Sequence, residues 1–171
     1  MSQHEQVIAL AIEAGNAILE IYNKGSTIDV MTKDDNSPLT DADLAAHRVI
    51  VEGLQQIDPE TPIVSEEGRV GDPSYPTDLC WLVDPLDGTK EFVKRNGMFT
   101  VNIALMTRIP GKARWEPIFG VVHAPVTSTT WSGGKGDAQA ERLSPNATTP
   151  IKVKPSSGDE PIRLVASGSH R

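Results

Sequence analysis

Apolar residues Val7, Leu10, Ala11, Ala14, Ala17, Ile18 and Ile21 recur at spacings of three and four over 6–23, the stripe of an amphipathic helix that should end near Lys24 and Gly25. β-Branched residues in rough alternation over 28–33 predict a short strand, followed by the turn-rich run Asp34-Asp35-Asn36-Ser37-Pro38. A second helix opens with the capping pair Thr40 and Asp43, carries the apolar face Ala46, Ile50, Leu54 and Ile57, and stops before Pro59. The pattern then changes to short extended runs at 62–65, 79–83, 99–106, 118–123 and 127–131. A polar loop with Gly68, Gly71, Pro73 and Pro76 separates the first two, while the later ones follow closely enough for an antiparallel meander. Residues 133–161 predict hairpins and loops around one short strand at 151–154, and a last strand is expected at 162–167. Two helices followed by strands give an α+β domain in which both helices layer on a largely antiparallel sheet.

At 171 residues the chain suits one domain over 1–171, with 38% hydrophobic and 23% charged residues. No apolar run approaches the ~18 residues of a membrane span, so no transmembrane segment is expected. The N-terminus MSQHEQ has neither a basic nor an apolar leader region, and the single Cys80 cannot form an internal disulfide, which together fit a reducing cytoplasm. Inside the run Leu79-Cys80-Trp81-Leu82-Val83, Cys80 is expected to be a small structural hydrophobe. A formal charge of -7 argues against a nucleic-acid polymer as partner. An acidic chain can still handle a small phosphate ester when its carboxylates hold divalent cations, which reverse the local sign.

The apolar run 80–83 reads as a buried central strand that ends abruptly in Asp84-Pro85-Leu86-Asp87-Gly88-Thr89. Alone, this is as well explained by a tight turn capped by aspartates. Its surroundings favour chemistry: Gly88 permits close backbone approach or an unusual φ, and Thr89 looks like the N-cap of a helix whose free N–H groups would lie beside two carboxylates. Phosphate esters resist attack because their oxygens are negative. A pair of Mg²⁺ ions would neutralise them and activate a water, and hard cations require oxygen ligands. Asp84 could bridge two ions, with the Leu86 carbonyl and Asp87 completing the shells and Ser65-Glu66-Glu67 supplying a third acid. Asp41 and Asp43 are accounted for by capping and the helix dipole, whereas Asp35 lies in a turn and could orient a water or hydroxyl. An EF-hand at Asp34 is excluded by Pro38, Leu39 and Ala45 at its fifth, sixth and twelfth positions. Gly133-Gly134-Lys135-Gly136 lacks a Walker pattern, and His4, His47 and His123 show no ligand spacing.

These segments together, Asp35-Asn36-Ser37-Pro38-Leu39-Thr40 with Asp43, Ser65-Glu66-Glu67 and 81–89, resemble the inositol monophosphatase superfamily of lithium-sensitive magnesium phosphatases. The stretches 90–97, 99–105 and 120–126 are similar to its CysQ-type branch, the 3'(2'),5'-bisphosphate nucleotidases of sulfur metabolism. The resemblance implies the first domain of the inositol monophosphatase-like (sugar phosphatase) fold and two or three Mg²⁺ ions. It implies Glu66, Asp84, the Leu86 carbonyl and Asp87 as metal ligands, and the backbone of 86–89, including Gly88, as the phosphate cradle. It also implies Asp35 with Thr89, beside Glu66, in activating the attacking water. Ser167 and His170, in Ser-x-Ser-His, would approach the nucleotide. The implied reaction removes the 3'-phosphate of 3'-phosphoadenosine 5'-phosphate, giving AMP. Inositol monophosphate or a sugar bisphosphate is the alternative substrate.

Family members continue into a second α/β domain with an aspartate that completes a metal shell, and that domain is missing here. The chain alone is therefore expected, as a truncated or cleaved form, to bind Mg²⁺ weakly and turn over poorly. A third reading is an inactive fragment that self-associates into a homo-oligomer through the bared apolar face. For localisation, the resemblance adds a peripheral position at the cytoplasmic face of the inner membrane, as in similar bacterial members.

Overall fold

The computed structural model describes residues 1–24, 30–32, 38–70, 77–111, 114–135 and 140–153. Helix α1 (Gln3–Asn23) starts at a reciprocal capping box in which the Glu5 N–H donates to Ser2 Oγ at 3.2 Å and the Ser2 N–H donates to Glu5 Oε2 at 2.7 Å. Its stripe Val7, Leu10, Ala11, Ala14 and Ile18 is buried as the spacing predicts. No basic residue lies in its last turn. Arg95 supplies that charge from elsewhere in the chain, donating to the Tyr22 carbonyl and stacking 4.6 Å from the Tyr22 ring centroid.

Strands β1 (Val30–Thr32) and β2 (Pro38–Thr40) form a two-stranded antiparallel ribbon. The expected strand at 28–33 is thus found at its centre, whereas β2 was not foreseen. Helix α2 (Asp41–Ile57) follows directly and buries Ala46, Ile50 and Leu54.

The remaining strands are β3 (Ile63–Ser65), β4 (Gly68–Val70), β5 (Leu79–Asp87), β6 (Thr100–Arg108), β7 (Trp115–Ala124), β8 (Thr129–Gly134), β9 (Glu141–Ser144) and β10 (Ala147–Pro150). Among the described residues they make an 8-stranded sheet in the order β10-β9-β8-β7-β6-β5-β3-β4. Among the described residues β3 and β5 pair in parallel and the other pairs are antiparallel; β5 to β8 form the antiparallel meander the short spacings predicted. Alternate residues Trp81 and Val83, Val101 and Ile103, and Phe119 and Val121 are buried in the core cluster that also contains the helix stripes. The intervening Leu82 and Val122 remain exposed. The helices therefore cover one face of the sheet. A short helix α3 (Thr89–Val93) follows β5, and its Phe92 ring lies 5.3 Å from those of both Tyr22 and Phe99, which are themselves 5.1 Å apart, centroid to centroid.

Four expectations need correction. The run 66–78 is not all loop, because Gly68–Val70 folds back on β3 with Ser65 opposite Gly68, leaving Glu66 and Glu67 as a two-residue turn. β5 does not stop before Asp84. It continues to Asp87 through a bulge, since Asp84 pairs with Asn102 but Asp87 with Thr100, which inserts one extra residue around Pro85, a residue that has no N–H to give the ladder. The late strand lies at Ala147–Pro150, and residues 151–153 of the expected 151–154 are not strand: the turn after Ser144 pairs Ala147–Pro150 with β9, and among the described residues one further bond, Ile151 N–H to the Ala140 carbonyl at 2.9 Å, extends past it. Gly88, not Thr89, is the N-cap of α3. The expected strand at 162–167 lies outside the described residues.

Candidate functional site

The bulge in β5 sets the site. Where the register slips, the Asp84 side chain turns into a half-buried position and Asp87 comes to the surface. Directly after it, Gly88 adopts φ 97° and ψ 40°, a left-handed conformation. A Cβ there would lie 3.0 Å from the Met98 carbonyl oxygen and 3.3 Å from Phe99 Cα, so both the conformation and the space require glycine. This confirms the reading of Gly88 as a point of close approach. Thr89 becomes the first residue of α3, with its Oγ1 at 3.3 Å from both the Leu86 carbonyl oxygen and Asp43 Oδ1.

Asp43 therefore does more than cap α2. Its Oδ2 accepts from the Thr40 N–H at 2.8 Å and from the Thr40 hydroxyl at 2.6 Å, which leaves Oδ1 for Thr89. The sequence reading accounted for Asp43 by capping alone and gave Asp35 as the partner of Thr89. Asp35 lies outside the described residues, as do Ser167 and His170, and among the described residues Asp43 holds Thr89.

Glu66 occupies the tip of the β3–β4 hairpin, with its N–H donating to the Val83 carbonyl at 3.0 Å, so its backbone is fixed one residue from Asp84. Asp87 accepts from Asn102 Nδ2 at 3.1 Å, and Asn102 Oδ1 accepts from Thr100 Oγ1 at 3.1 Å. Glu66, Asp84 and Asn102 line one end of a depression of about 450 Å³ whose floor is Val64, Leu82, Ala104 and Val122. The polar end is thus continuous with an apolar sheet face.

The electrostatics of Asp84 stand out. Burial, then the neighbouring negative charges of Glu66 and Asp87, push its carboxyl up to about 7, opposed only by the Leu86 N–H. Its Oδ1 is buried and, among the described residues, has no hydrogen-bond partner. An orphaned buried carboxylate oxygen beside two further acids is costly for a bare chain and suits a hard divalent cation, which would satisfy it and cancel the repulsion. Among the described residues, no three His, Cys, Asp or Glu side chains close on one point. By donor type and charge, Glu66, Asp84, the Leu86 carbonyl and Asp87 fit Mg²⁺.

Two histidines passed over in the sequence have defined partners. His47 Nδ1 lies 2.9 Å from Ser65 Oγ, and burial lowers its pKa against the opposing charge of Glu67. His123 Nδ1 lies 2.8 Å from Thr130 Oγ1, and burial lowers its pKa as well. A signal for the first was available, since His47 follows Asp43 by four and so shares its helix face. Asn102 had none until β6 was paired with β5. Cys80 is half-buried and its thiol is pushed up by burial, in keeping with a structural role. Among the described residues no helix is long and apolar enough to cross a membrane.

The model of the inositol monophosphatase family matches residues 2–170. The chain is 50% identical over 167 residues to the 3'(2'),5'-bisphosphate nucleotidase CysQ of Escherichia coli K12, a match covering 97% of this chain and 63% of that protein. The CysQ of Buchnera aphidicola is 40% identical over 172 residues, covering 97% of this chain and 59% of that one. The chain thus spans somewhat under two thirds of the length of these relatives. Among solved structures, CysQ from Bacteroides thetaiotaomicron, titled a bacterial member of the inositol monophosphatase family, superposes with a TM-score of 0.65 at 37% identity, over 93% of this chain and 52% of that one. An inositol monophosphatase from Thermotoga maritima superposes with a TM-score of 0.70 at 26% identity, over 90% of this chain and 54% of that one.

Proposed function

Because the chain belongs to the inositol monophosphatase family, we propose that it carries the carboxylate part of a magnesium-dependent site that removes the 3'-phosphate of 3'-phosphoadenosine 5'-phosphate, leaving AMP and inorganic phosphate. The substrate class rests on the name borne by its relatives. The metal class rests on one observation: Asp84 Oδ1 is buried without a partner among the described residues, beside Glu66 and Asp87. Glu66, Asp84, the Leu86 carbonyl and Asp87 would hold the ions. When bound, Mg²⁺ supplies neutralisation of the phosphate oxygens and a more acidic water.

The protein's own groups then have separable tasks. With its proton turned toward Asp43, the Thr89 oxygen presents lone pairs to one O–H of the attacking water, and Glu66 accepts from the other. Asp35 remains a second candidate for orienting that water. Gly88 lets the backbone of 86–89 approach the phosphate without a side chain in the way. Asn102 holds Asp87 at the mouth.

Calorimetric titration with MgCl₂ tests the metal site. Folded Asp84 keeps its proton up to about 7, against a reference value of 3.8, so the metal-free fold loses stability as pH rises between them and the bound cation restores it. Mg²⁺ affinity is therefore expected to rise with pH by about tenfold per unit up to the Asp84 pKa and then level off. Absence of binding at millimolar Mg²⁺ and pH 8, or a pH-independent affinity, overturns the assignment. For the substrate, phosphate release from 3'-phosphoadenosine 5'-phosphate should exceed that from inositol 1-phosphate, and the reverse order overturns that choice.

A further inference from the structure

We propose that His47 is a positioning residue for Glu66, holding the Ser65-Glu66-Glu67 turn against α2 so that the Glu66 carboxyl faces Asp84. The inference rests on the metal site proposed above.

The hairpin tip that carries Glu66 is short. β3 and β4 each contribute three residues, and the turn between them is Glu66 and Glu67 alone. Among the described residues, one bond ties the tip to β5 and another to α2. One is the Glu66 N–H to the Val83 carbonyl at 3.0 Å, which fixes the backbone height relative to β5. The other is Ser65 Oγ, which lies 2.9 Å from His47 Nδ1 and accepts the Glu67 N–H at 3.3 Å. Ser65 is only 8% exposed, so this hydroxyl joins the far side of the turn to the helix in a place where water competes little.

The same helix face carries Asp43 one turn earlier, and Asp43 holds Thr89. A turn of α2 therefore spans the site: its residue 43 positions the hydroxyl at one side and its residue 47 the turn bearing the acid at the other. Both attachments depend on one rigid element with about 6 Å between the two positions. Removing His47 leaves Ser65 and the helix intact but takes away the bond from α2 to the turn, and with it a constraint on where Glu66 sits.

Mg²⁺ affinity of the 171-residue chain, read by calorimetry, separates this role from a merely structural one. His47→Leu is expected to weaken binding by about ten- to a hundredfold, while His47→Asn, which can return a polar atom to the Nδ1 position, recovers to within about threefold of the parent. The midpoint of urea unfolding without metal should be alike in the two variants, so the difference in affinity is not a difference in folding. Parental affinity in His47→Leu, or an Asn variant as weak as the Leu variant, overturns the inference. Should His47→Leu not fold, Ser65→Ala breaks the same bond from the strand side and is expected to weaken Mg²⁺ to the same extent, and unchanged affinity there overturns it equally. A parent chain that takes up no Mg²⁺ overturns the metal site itself and this inference with it, whereas normal uptake by His47→Leu overturns the inference alone.

Discussion

The two long helices begin with the same device and use it differently. At α1, Ser2 and Glu5 exchange bonds in solvent, and the box does nothing except start the helix. At α2, Thr40 is wholly buried and Asp43 is 2% exposed, so the second carboxylate oxygen is enclosed with the site and holds Thr89. A capping box is thus a local solution whose further use is decided by what the fold packs over it.

Asp43→Ala is the strongest way to break that comparison. It removes the acceptor for a buried N–H and a buried hydroxyl, at about 1–3 kcal/mol for each group left unsatisfied, so a loss near 4 kcal/mol in urea unfolding is expected. Asp43→Asn keeps one carbonyl oxygen and should fold. Its amide cannot accept from both Thr40 and Thr89, so turnover in a protein containing this chain is expected to fall by about a hundredfold or more with KM little changed, the mark of a group that acts in the transition state. A fully active Asn variant would return Asp43 to the rank of Glu5, a cap and no more.

The helices also differ in how their glycines let other parts approach. In α1, a Cβ on Gly15 would lie 2.5 Å from His123 Cδ2; in α2, a Cβ on Gly53 would lie 2.3 Å from Leu10 Cδ1. By distance alone the second is worse. The neighbours yield differently, because the His123 ring is fixed by Thr130 at 2.8 Å inside the core, whereas Leu10 is held by packing without directional bonds. Overpacking costs about 1–3 kcal/mol, and alanine returns about 1 kcal/mol of helix propensity. Gly15→Ala is therefore expected to lose about 2 kcal/mol and Gly53→Ala less than about 1 kcal/mol, compared by urea midpoints. Equal losses would mean that the His123–Thr130 bond adds no rigidity.

Much of this was legible in the chain and some of it could not be. Periodicity located both helices and the long strands because each buries one side against a shared core, so spacing and burial carry the same information. Gly88 was readable because its geometry is local. The bulge was not, since a register shift exists only relative to a partner strand, and Asp84-Pro85-Leu86-Asp87 looks the same as a turn until Asn102 and Thr100 lie opposite. Asp43 was read as a cap, which it is, and its second bond was not legible for a related reason: the capping role is visible at a separation of three residues, the bond to Thr89 only at a separation of 46. The β3–β4 hairpin was missed because Glu66-Glu67 lacks the usual glycine or asparagine of two-residue turns, and Gly68, at φ 144°, follows the turn instead.

The smallest expected effect is the one that completes the comparison. Ser2→Ala removes the acceptor of the Glu5 N–H, yet both residues are exposed and water can replace the lost bond. Glu5 gains from its Ser2 contacts, which hold its carboxyl below the usual range, but on a fully exposed side chain such a contact is screened. The general cost of losing a serine N-cap is about 0.5–2 kcal/mol, and the solvent-exposed position places this one at the lower end. Unfolding in urea should therefore shift by about 0.5 kcal/mol, with Mg²⁺ affinity unchanged because Ser2 lies at the exposed start of α1 and its bonds are to Glu5. If Ser2→Ala instead cost as much as Asp43→Ala, the burial of the second box would no longer account for its weight. The distinction between a cap that starts a helix and a cap that also holds a reacting group would then have to be sought in Thr89 rather than in Asp43.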